Sequence, residues 1–471
     1  MTGHGRDIFW AYALSAARVA SWIVVYGSLY RKIGAEAAAL LALVRWTLGL
    51  LNYASAGLAP AILHHVAKAE GSEFRVQGSD EFPPSIRNSQ SAIGNSQHSG
   101  LSTQDSPRSI YTTGITLSWI GFSIGFVALA AWTLTQGRAR GVASLVGLFG
   151  AGMLIDLAAD AWGAVIQSKG PIRRDYQSQT ALELLWAILA TTGIFVAAHL
   201  PFSWQTAIGG AYLVAALISA SARAFFAYQI LHKLPRSDPN PRRLLLNRIP
   251  LNSAIARNLL TFGGLVVLAQ IADYLYAPTD FLLIRWLIDL KTVAVYAPAV
   301  QMDAGIWLLV SGLATALLPM SATAFGKRDF KQLRRYYLQG TGISFVMLLV
   351  VCILGWIAAP GLFRLWLGNK MKDTQRILPF VLIPTVVGGS AMVGRSILLA
   401  IGKVRAFTIA VLLAGLSNVI MSYCFVKYFD LGLKGIVLGT IVAAVARCAL
   451  WTPWYVLRSL HQEEGGHSRF L

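Results

Sequence analysis

Ionisable residues lie inside long apolar segments of this chain, where a charge is expensive to bury. Insertion scales give about 2.5 to 3.5 kcal/mol for an ionisable side chain at the centre of a spanning helix, so each one is a functional hypothesis. Arginines in such positions are expected to bind anions, and aspartates to bind protons or cations. The residues are Arg18, Arg45, Arg447, Asp273, Asp280 and Asp303.

The arginines suit a phosphate ligand. A guanidinium donates two parallel hydrogen bonds to phosphate and stays protonated at any working pH. Arg18 lies near the middle of the first apolar segment and Arg45 lies in the second, so we expect this pair to hold a diphosphate. Arg447, in the last segment, either adds to a positively charged cavity or extends to the membrane surface.

The aspartates suit an ion that drives transport. Asp273 and Asp280 are seven residues apart, which places them on one helical face, and Asp303 lies in the next segment. We treat all three as ion-coupling candidates. Two alternatives stay open: Asp273 and Asp303 pair with the two N-terminal arginines and only fix packing, or Asp280 lies solvated at the outer membrane surface.

Other motifs favour structure over chemistry. Asp156 and Asp160 are spaced like a carboxylate pair, but we expect them to pair with Arg223 rather than to catalyse a reaction. Gly435 and Gly439 are spaced for close helix packing inside the monomer. The sequence contains no nucleotide-binding loop, metalloprotease motif or nucleophile elbow. We therefore predict a protein that is not an enzyme, with no catalytic residue, cofactor or metal.

The composition explains why the charges are unusual. Hydrophobic residues make up 55% of the 471 residues, charged residues 13%, and the mean hydropathy is +0.57. Soluble domains carry about 25% charged residues, so a soluble enzyme, a disulfide scaffold and a disordered regulator are excluded. The net charge of +19 fits basic loops that orient a membrane protein, and no nucleic-acid partner is predicted.

The apolar segments predict an all-α integral membrane protein. A spanning helix needs about 20 mostly apolar residues, and about twelve segments satisfy this length. They are 8–30, 37–66, 112–134, 142–166, 179–199, 206–231, 258–284, 292–319, 338–360, 377–401, 406–427 and 433–457.

The chain divides into two lobes of six helices. The proline-containing basic stretch 232–257 separates them, and we place the lobes at 1–235 and 236–471. The serine-rich stretch 71–109 is predicted to be a disordered cytoplasmic loop. Basic residues are more frequent on the side of the even-numbered loops, so both termini are expected to be cytoplasmic.

Short motifs in order along the chain resemble the polysaccharide transporter family of the multidrug/oligosaccharidyl-lipid/polysaccharide flippase superfamily, which includes O-antigen and exopolysaccharide flippases. The first half offers Gly34-Ala35-Glu36 and Gly57-Leu58-Ala59-Pro60-Ala61. The second half offers Val293-Ala294-Val295-Tyr296-Ala297, Leu318-Pro319, Ala324-Phe325-Gly326-Lys327-Arg328-Asp329, Leu365-Trp366-Leu367-Gly368, Leu399-Ala400-Ile401-Gly402-Lys403 and Leu431-Gly432-Leu433-Lys434-Gly435-Ile436.

The resemblance implies alternating access between two lobes of a bacterial inner-membrane protein. It also implies transfer of an undecaprenyl-diphosphate-linked glycan to the periplasmic leaflet, with cationic residues of the first two helices at the diphosphate. Membrane lipids and the polysaccharide polymerase machinery are the other expected partners. A drug/cation antiporter of the same superfamily and a membrane-embedded glycan polymerase remain the alternatives, although a polymerase would need a larger outer loop.

Overall fold

The computed structural model is helical throughout the part of the chain that it describes. That part comprises residues 3–51, 57–63, 65–66, 107–135, 140–199, 201, 203–233, 253–275, 277–326, 328–368, 371–401 and 403–465. No strand occurs within these ranges. The predicted disordered loop lies outside them up to residue 106, and a helix begins at Pro107.

The α-helices are 11 to 38 residues long. In chain order they are α1 (Gly3–Lys32), α2 (Ala35–Leu48), α3 (Pro107–Thr135), α4 (Arg140–Lys169), α5 (Arg173–Ala197), α6 (Trp204–Lys233), α7 (Ser253–Tyr274), α8 (Ala277–Leu287), α9 (Leu290–Gly326), α10 (Phe330–Leu367), α11 (Lys372–Ala400), α12 (Val404–Lys427), α13 (Gly432–Ala444), a π-helical turn (Val445–Trp451) and α14 (Thr452–Gly465).

Nine helical stretches among the described residues are long and apolar enough to cross a membrane. They are Phe9–Lys32, Pro107–Leu134, Gly141–Lys169, Arg173–Ala197, Trp204–Lys233, Phe330–Leu367, Lys372–Leu398, Ala406–Lys427 and Gly432–Glu464. Each overlaps one of the predicted segments. The three remaining predicted segments fall on the helical regions around α2, α7 with α8, and α9. The predicted all-α membrane fold is therefore confirmed.

Local sequence signals set several helix ends. Asp329 caps α10, where its side chain accepts a hydrogen bond from the backbone N–H of Gln332 at 2.8 Å. The same helix ends at Gly368, whose φ of 75° lies in the left-handed region that glycine adopts without steric cost. Pro360 lies inside this helix without ending it, and the helix continues to Leu367.

The helices form two compact units. The first unit contains residues 1–17 and 50–268, and the second contains 18–49 and 269–471. The sequence instead predicted one boundary at 235/236, a position outside the described residues. Residues 18–49, from the latter part of α1 through α2, thus cluster with the C-terminal helices.

The first unit has an apolar core built from helices α3, α4, α6 and α7. Ile62 and Ile110 pack there with Val165 and Leu259, and all four side chains are fully buried. Gly114 permits the close approach, because a Cβ at that position would lie 2.5 Å from the side chain of Ile62. The core therefore joins a segment before the long loop to helices after it.

The second unit has its own core near the end of the chain. Leu333 and Tyr337 of α10 pack there with Ile397 of α11 and Val456 of α14. The latter part of α1 is fixed in the same unit, since the Trp366 indole N–H donates to the carbonyl oxygen of Ile23 at 2.7 Å. These contacts hold the helices that surround the polar cavity described next.

Candidate functional site

A polar cavity of about 340 Å³ lies inside the second unit. Helices α9, α11, α12 and α13 and the π-helical turn form its wall. The lining residues are Tyr296, Val300, Asp303, Trp307, Val381, Pro384, Thr385, Gly388, Met392, Arg395, Phe407, Val437, Thr440, Ala444 and Arg447. Two arginines and one aspartate line it, so the cavity has one more positive than negative charge when all three are ionised.

Asp303 is a carboxylate of α9 that lines the cavity. The hydroxyl of Thr385 donates a hydrogen bond to Asp303 Oδ1. Asp303 makes no ion pair with any residue in the described ranges, which removes the alternative that it only neutralises Arg45.

Arg447 reaches the cavity from the π-helical turn. A π-turn adds a residue to the helix and changes the direction in which the next side chains point, and such turns are frequent at functional sites. The Thr452 hydroxyl donates to the carbonyl oxygen of Arg447 at 2.9 Å, so this backbone acceptor keeps a partner. Arg447 lines this cavity, and its predicted role in substrate binding stays a prediction.

Arg395 is a second cationic lining residue. Its guanidinium carbon lies 5.9 Å from the centre of the Phe407 ring, which also lines the cavity. The sequence leaves the same two possibilities open for Arg395 as for Arg447, a place in a positively charged cavity or at the membrane surface, and Arg395 was not among the predicted site residues. Two arginines from different helical segments therefore line the cavity.

Asp280 lies at the centre of a buried hydrogen-bond network. Its side chain is fully buried, which shows that the solvated alternative is wrong. Oδ1 accepts from the Asn418 amide at 3.2 Å, and Oδ2 accepts from the Tyr296 hydroxyl at 3.0 Å and the Thr440 hydroxyl at 2.8 Å. Within the described residues it has no cationic partner. A buried carboxylate without a counter-charge favours protonation or a bound cation.

Close packing of α12 and α13 brings the partners of Asp280 together. A Cβ at Gly439 would collide with Ser422, and a Cβ at Gly435 would lie 3.1 Å from Phe425. The predicted packing role of these two glycines inside the monomer is confirmed. Ser422 completes the network by donating to the carbonyl oxygen of Ile436 at 3.0 Å.

The N-terminal arginines lie elsewhere in the second unit. The guanidinium carbon of Arg45 lies 3.7 Å from the centre of the Trp22 ring, a cation–π contact between α1 and α2. Arg18 is exposed on α1. Neither belongs to the described lining of the cavity, and their predicted role at a diphosphate stays a prediction. Asp273 lies in α7, and its side chain falls outside the described part of the structure.

An ion cluster lies in the first unit around Arg223. Its guanidinium contacts Asp175 at 2.7 Å, Asp160 at 2.8 Å and Asp156 at 3.2 Å. The predicted pairing of Arg223 with the two α4 aspartates is confirmed, and sequence analysis missed Asp175. Gly163 provides the space, because a Cβ there would lie 2.8 Å from both the guanidinium and the Asp175 carboxylate.

Comparisons with known proteins agree on one fold. The MatE family model matches residues 266–424. Over 279 residues the chain is 24% identical to a protein described as "Uncharacterized membrane protein EpsK" from Bacillus subtilis (strain 168). The match covers 59% of this chain and 52% of that protein, so the chain spans about half the length of this relative.

Solved structures match over nearly the whole chain. The inward-facing conformation of a multidrug resistance MATE family transporter superposes with a TM-score of 0.70 at 17% identity, covering 96% of this chain and 99% of the other. A MOP superfamily transporter from Pyrococcus furiosus Vc1 has a TM-score of 0.56 at 16% identity and 96% coverage of both chains. The chain therefore has the fold of MOP superfamily transporters, and its residues 266–424 match the MatE domain.

Proposed function

We propose that this protein is a flippase for an undecaprenyl-diphosphate-linked oligosaccharide. It moves this lipid from the cytoplasmic to the periplasmic leaflet of the bacterial inner membrane, with both termini in the cytoplasm, for the synthesis of a cell-surface polysaccharide. The observation that carries the proposal is the pair of guanidinium groups, Arg395 and Arg447, in the cavity of the second unit.

The charges of the cavity favour an anionic substrate. Two guanidinium groups offer planar pairs of N–H donors that match phosphate oxygens, and they remain charged in a low-dielectric surrounding. A diphosphate can accept from both arginines, whereas a cationic drug would be repelled by them. Arg18 and Arg45 lie outside this cavity, and in this proposal they contact the diphosphate at another stage of its passage.

Two carboxylates, the buried Asp280 and the cavity-lining Asp303, provide a means of driving the transport. Asp280 and Asp303 have hydroxyl and amide partners but no ion-pair partner among the described residues. Each can exchange a proton or a monovalent cation with the surroundings as the protein changes conformation. Asp280 is the stronger candidate, because several oxygens surround it and it is shielded from the membrane.

A drug/cation antiporter is the second candidate function. Asp303 favours it, since a cavity-lining carboxylate with no ion-pair partner among the described residues could bind an exported cation. The multidrug MATE transporter has the same fold, but the Pyrococcus furiosus transporter is described as having a binding pocket of reverse polarity that suggests a different function. A cavity with two arginines agrees better with the anionic substrate.

Reconstitution separates the two functions. Purified protein in vesicles that contain an undecaprenyl-diphosphate glycan is expected to move the glycan between leaflets, measured by its accessibility to a glycan-modifying enzyme outside the vesicle. Protein-free vesicles provide the baseline. Extrusion of a cationic dye without any movement of the lipid glycan would support the antiporter and contradict the flippase.

A further inference from the structure

Two hydroxyl groups connect the Asp280 network with the arginine cavity. Tyr296 and Thr440 both line the cavity, and both donate to the same oxygen of Asp280, at 3.0 Å and 2.8 Å. They come from α9 and α13, so helices on two sides of the site contribute one hydroxyl each. The carboxylate is fully buried, and these side chains lie between it and the cavity.

A hydroxyl group has a single proton, so it can donate only one hydrogen bond at a time. While Tyr296 and Thr440 donate to Asp280, they can offer only oxygen lone pairs to the cavity, which repel an anionic ligand. A cation on the carboxylate attracts the hydroxyl oxygens and repels their protons. The protons then have to turn away from Asp280, where they become donors for an anion.

The surroundings of Thr440 allow such a rearrangement. Its Oγ1 lies 2.8 Å from Asp280 Oδ2 but also 3.0 Å from Asn418 Oδ1 and 3.4 Å from the carbonyl oxygen of Ile436. One proton faces several acceptors, so the hydroxyl can change its partner without a movement of the backbone. The oxygens of Asp280, Asn418 and Thr440 thus form a compact group of the kind that a monovalent cation binds.

We infer that Tyr296 and Thr440 are positioning residues which transmit the occupancy of Asp280 by a monovalent cation to the arginine cavity. With the cation bound, the two hydroxyls donate toward the cavity and increase its affinity for a diphosphate; without it, they donate to Asp280 and the affinity falls. This inference rests on the proposed function, because it needs an anionic substrate in the cavity.

The test measures how a cation changes ligand affinity in the full-length protein. Binding of undecaprenyl diphosphate is titrated at constant pH in Na⁺, in K⁺ and in choline. Couplings between two sites are typically fivefold or more, so we expect wild-type Kd to fall by at least about fivefold in one of the metal cations. The cation ratio is the Kd in choline divided by the Kd in the effective metal cation. In Tyr296→Phe and Thr440→Val this ratio should shrink toward one, while undecaprenyl diphosphate still binds.

Thr116→Val in α3 is the control. It removes a hydroxyl of the first unit that donates to the carbonyl oxygen of Thr112 at 2.9 Å, outside the cavity and the Asp280 network, and it should keep the wild-type cation ratio. Thermal stabilisation by the effective cation is measured for each variant, and Tyr296→Phe should retain it. This measurement distinguishes a variant that binds the cation but no longer changes the ligand affinity from a variant that no longer binds the cation.

Each other outcome overturns the inference. A wild-type Kd that is the same in all three salts, or an unchanged cation ratio in both variants, excludes transmission through these hydroxyls. Loss of cation stabilisation in both variants would make the hydroxyls ligands of the cation only. Absence of any binding of undecaprenyl diphosphate to the wild type would contradict the proposed function itself, which is a distinct result.

Discussion

Arg447 and Asp303 line the same cavity, although one lies in a π-helical turn near the end of the chain and the other in α9. A cation and a carboxylate thus share one polar space among apolar helices. Arg395 adds a second positive charge to it. This arrangement favours an anionic group that must pass through a membrane protein, and it leads to the following predictions.

Removal of the cavity arginines should stop glycan export. Arg447→Ala and Arg395→Ala each leave one guanidinium, which cannot hold a diphosphate from two sides. Arg447→Lys should restore only part of the activity, because an ammonium lacks the planar pair of donors. Export is measured as surface polysaccharide at equal protein amount in the membrane. Arg334→Ala, on the exposed side of α10, is the control and should export the glycan normally. If the Arg447 and Arg395 variants exported as much glycan as this control, the proposed role of the cavity arginines would be contradicted.

The N-terminal arginines provide a separate prediction. Arg18→Ala and Arg45→Ala should each abolish glycan export without lowering the amount of protein. For Arg45 we also expect Trp22→Phe to weaken export only slightly, because a phenyl ring keeps part of the cation–π contact. Retained export in both arginine variants would rule out a diphosphate contact at these positions.

A single substitution in the ion cluster around Arg223 should lower the stability of the folded protein. Arg223→Gln leaves three carboxylates without their shared partner, and breaking a buried ion pair typically costs about 3 to 5 kcal/mol. Arg376→Gln removes an exposed pair with Asp373 at 3.4 Å and should cost less than about 1 kcal/mol. Thermal unfolding in detergent compares the two. Equal midpoints for Arg223→Gln and the wild type would show that the cluster contributes nothing to stability.

The stability that Asp289 contributes in the turn before α9 should depend on pH. Hydrogen bonds from the Thr292 hydroxyl and from the Thr292 backbone N–H, which donates to Asp289 Oδ1 at 2.6 Å, lower the pKa of the exposed Asp289 carboxyl. A carboxyl with a lowered pKa stabilises the folded state above its unfolded pKa of about 3.9, and the contribution disappears as the pH falls through the lower folded value. Asp289→Ala should therefore cost about 1 kcal/mol at neutral pH and less below about pH 4.

Asp289→Asn is the matched control for this cap. An asparagine caps a helix about as well as an aspartate but carries no charge. Its stability relative to the wild type should therefore improve as the pH falls. A wild-type advantage over Asp289→Ala that stays constant down to pH 3 would contradict the assignment of the carboxylate as the cap.

Sequence periodicity predicts most of the fold, because a spanning helix is a local property. Length and apolarity locate the segments, and the spacing of Asp156 and Asp160 places both on one face of α4, within reach of Arg223. Asp175 was missed because it lies in the first turn of α5, a position that is usually solvated. In the structure this carboxylate is fully buried, which only the packing of α5 against its neighbours determines.

The site itself depends on contacts that no local pattern encodes. The partners of Asp280 come from α9, α12 and α13, and Asn418 and Thr440 are uncharged residues of a common kind. The spacing of Gly435 and Gly439 was the one signal, since it predicted the close packing that brings α12 against α13. The grouping of residues 18–49 with the second unit is likewise a property of packing between distant segments.

The most direct test of the proposed function is the leaflet position of lipid-linked glycan in cells depleted of this protein. A glycan-modifying enzyme that cannot cross the membrane reports which leaflet holds the intermediate. We predict that undecaprenyl-diphosphate glycan accumulates and stays protected on the cytoplasmic side, and that wild-type protein but not Arg447→Ala relieves the accumulation. If unpolymerised glycan instead accumulates on the outer side, where the enzyme reaches it, the flippase is contradicted and a defect in polymerisation is favoured. If the amount and position of the glycan lipids do not change, the antiporter is favoured.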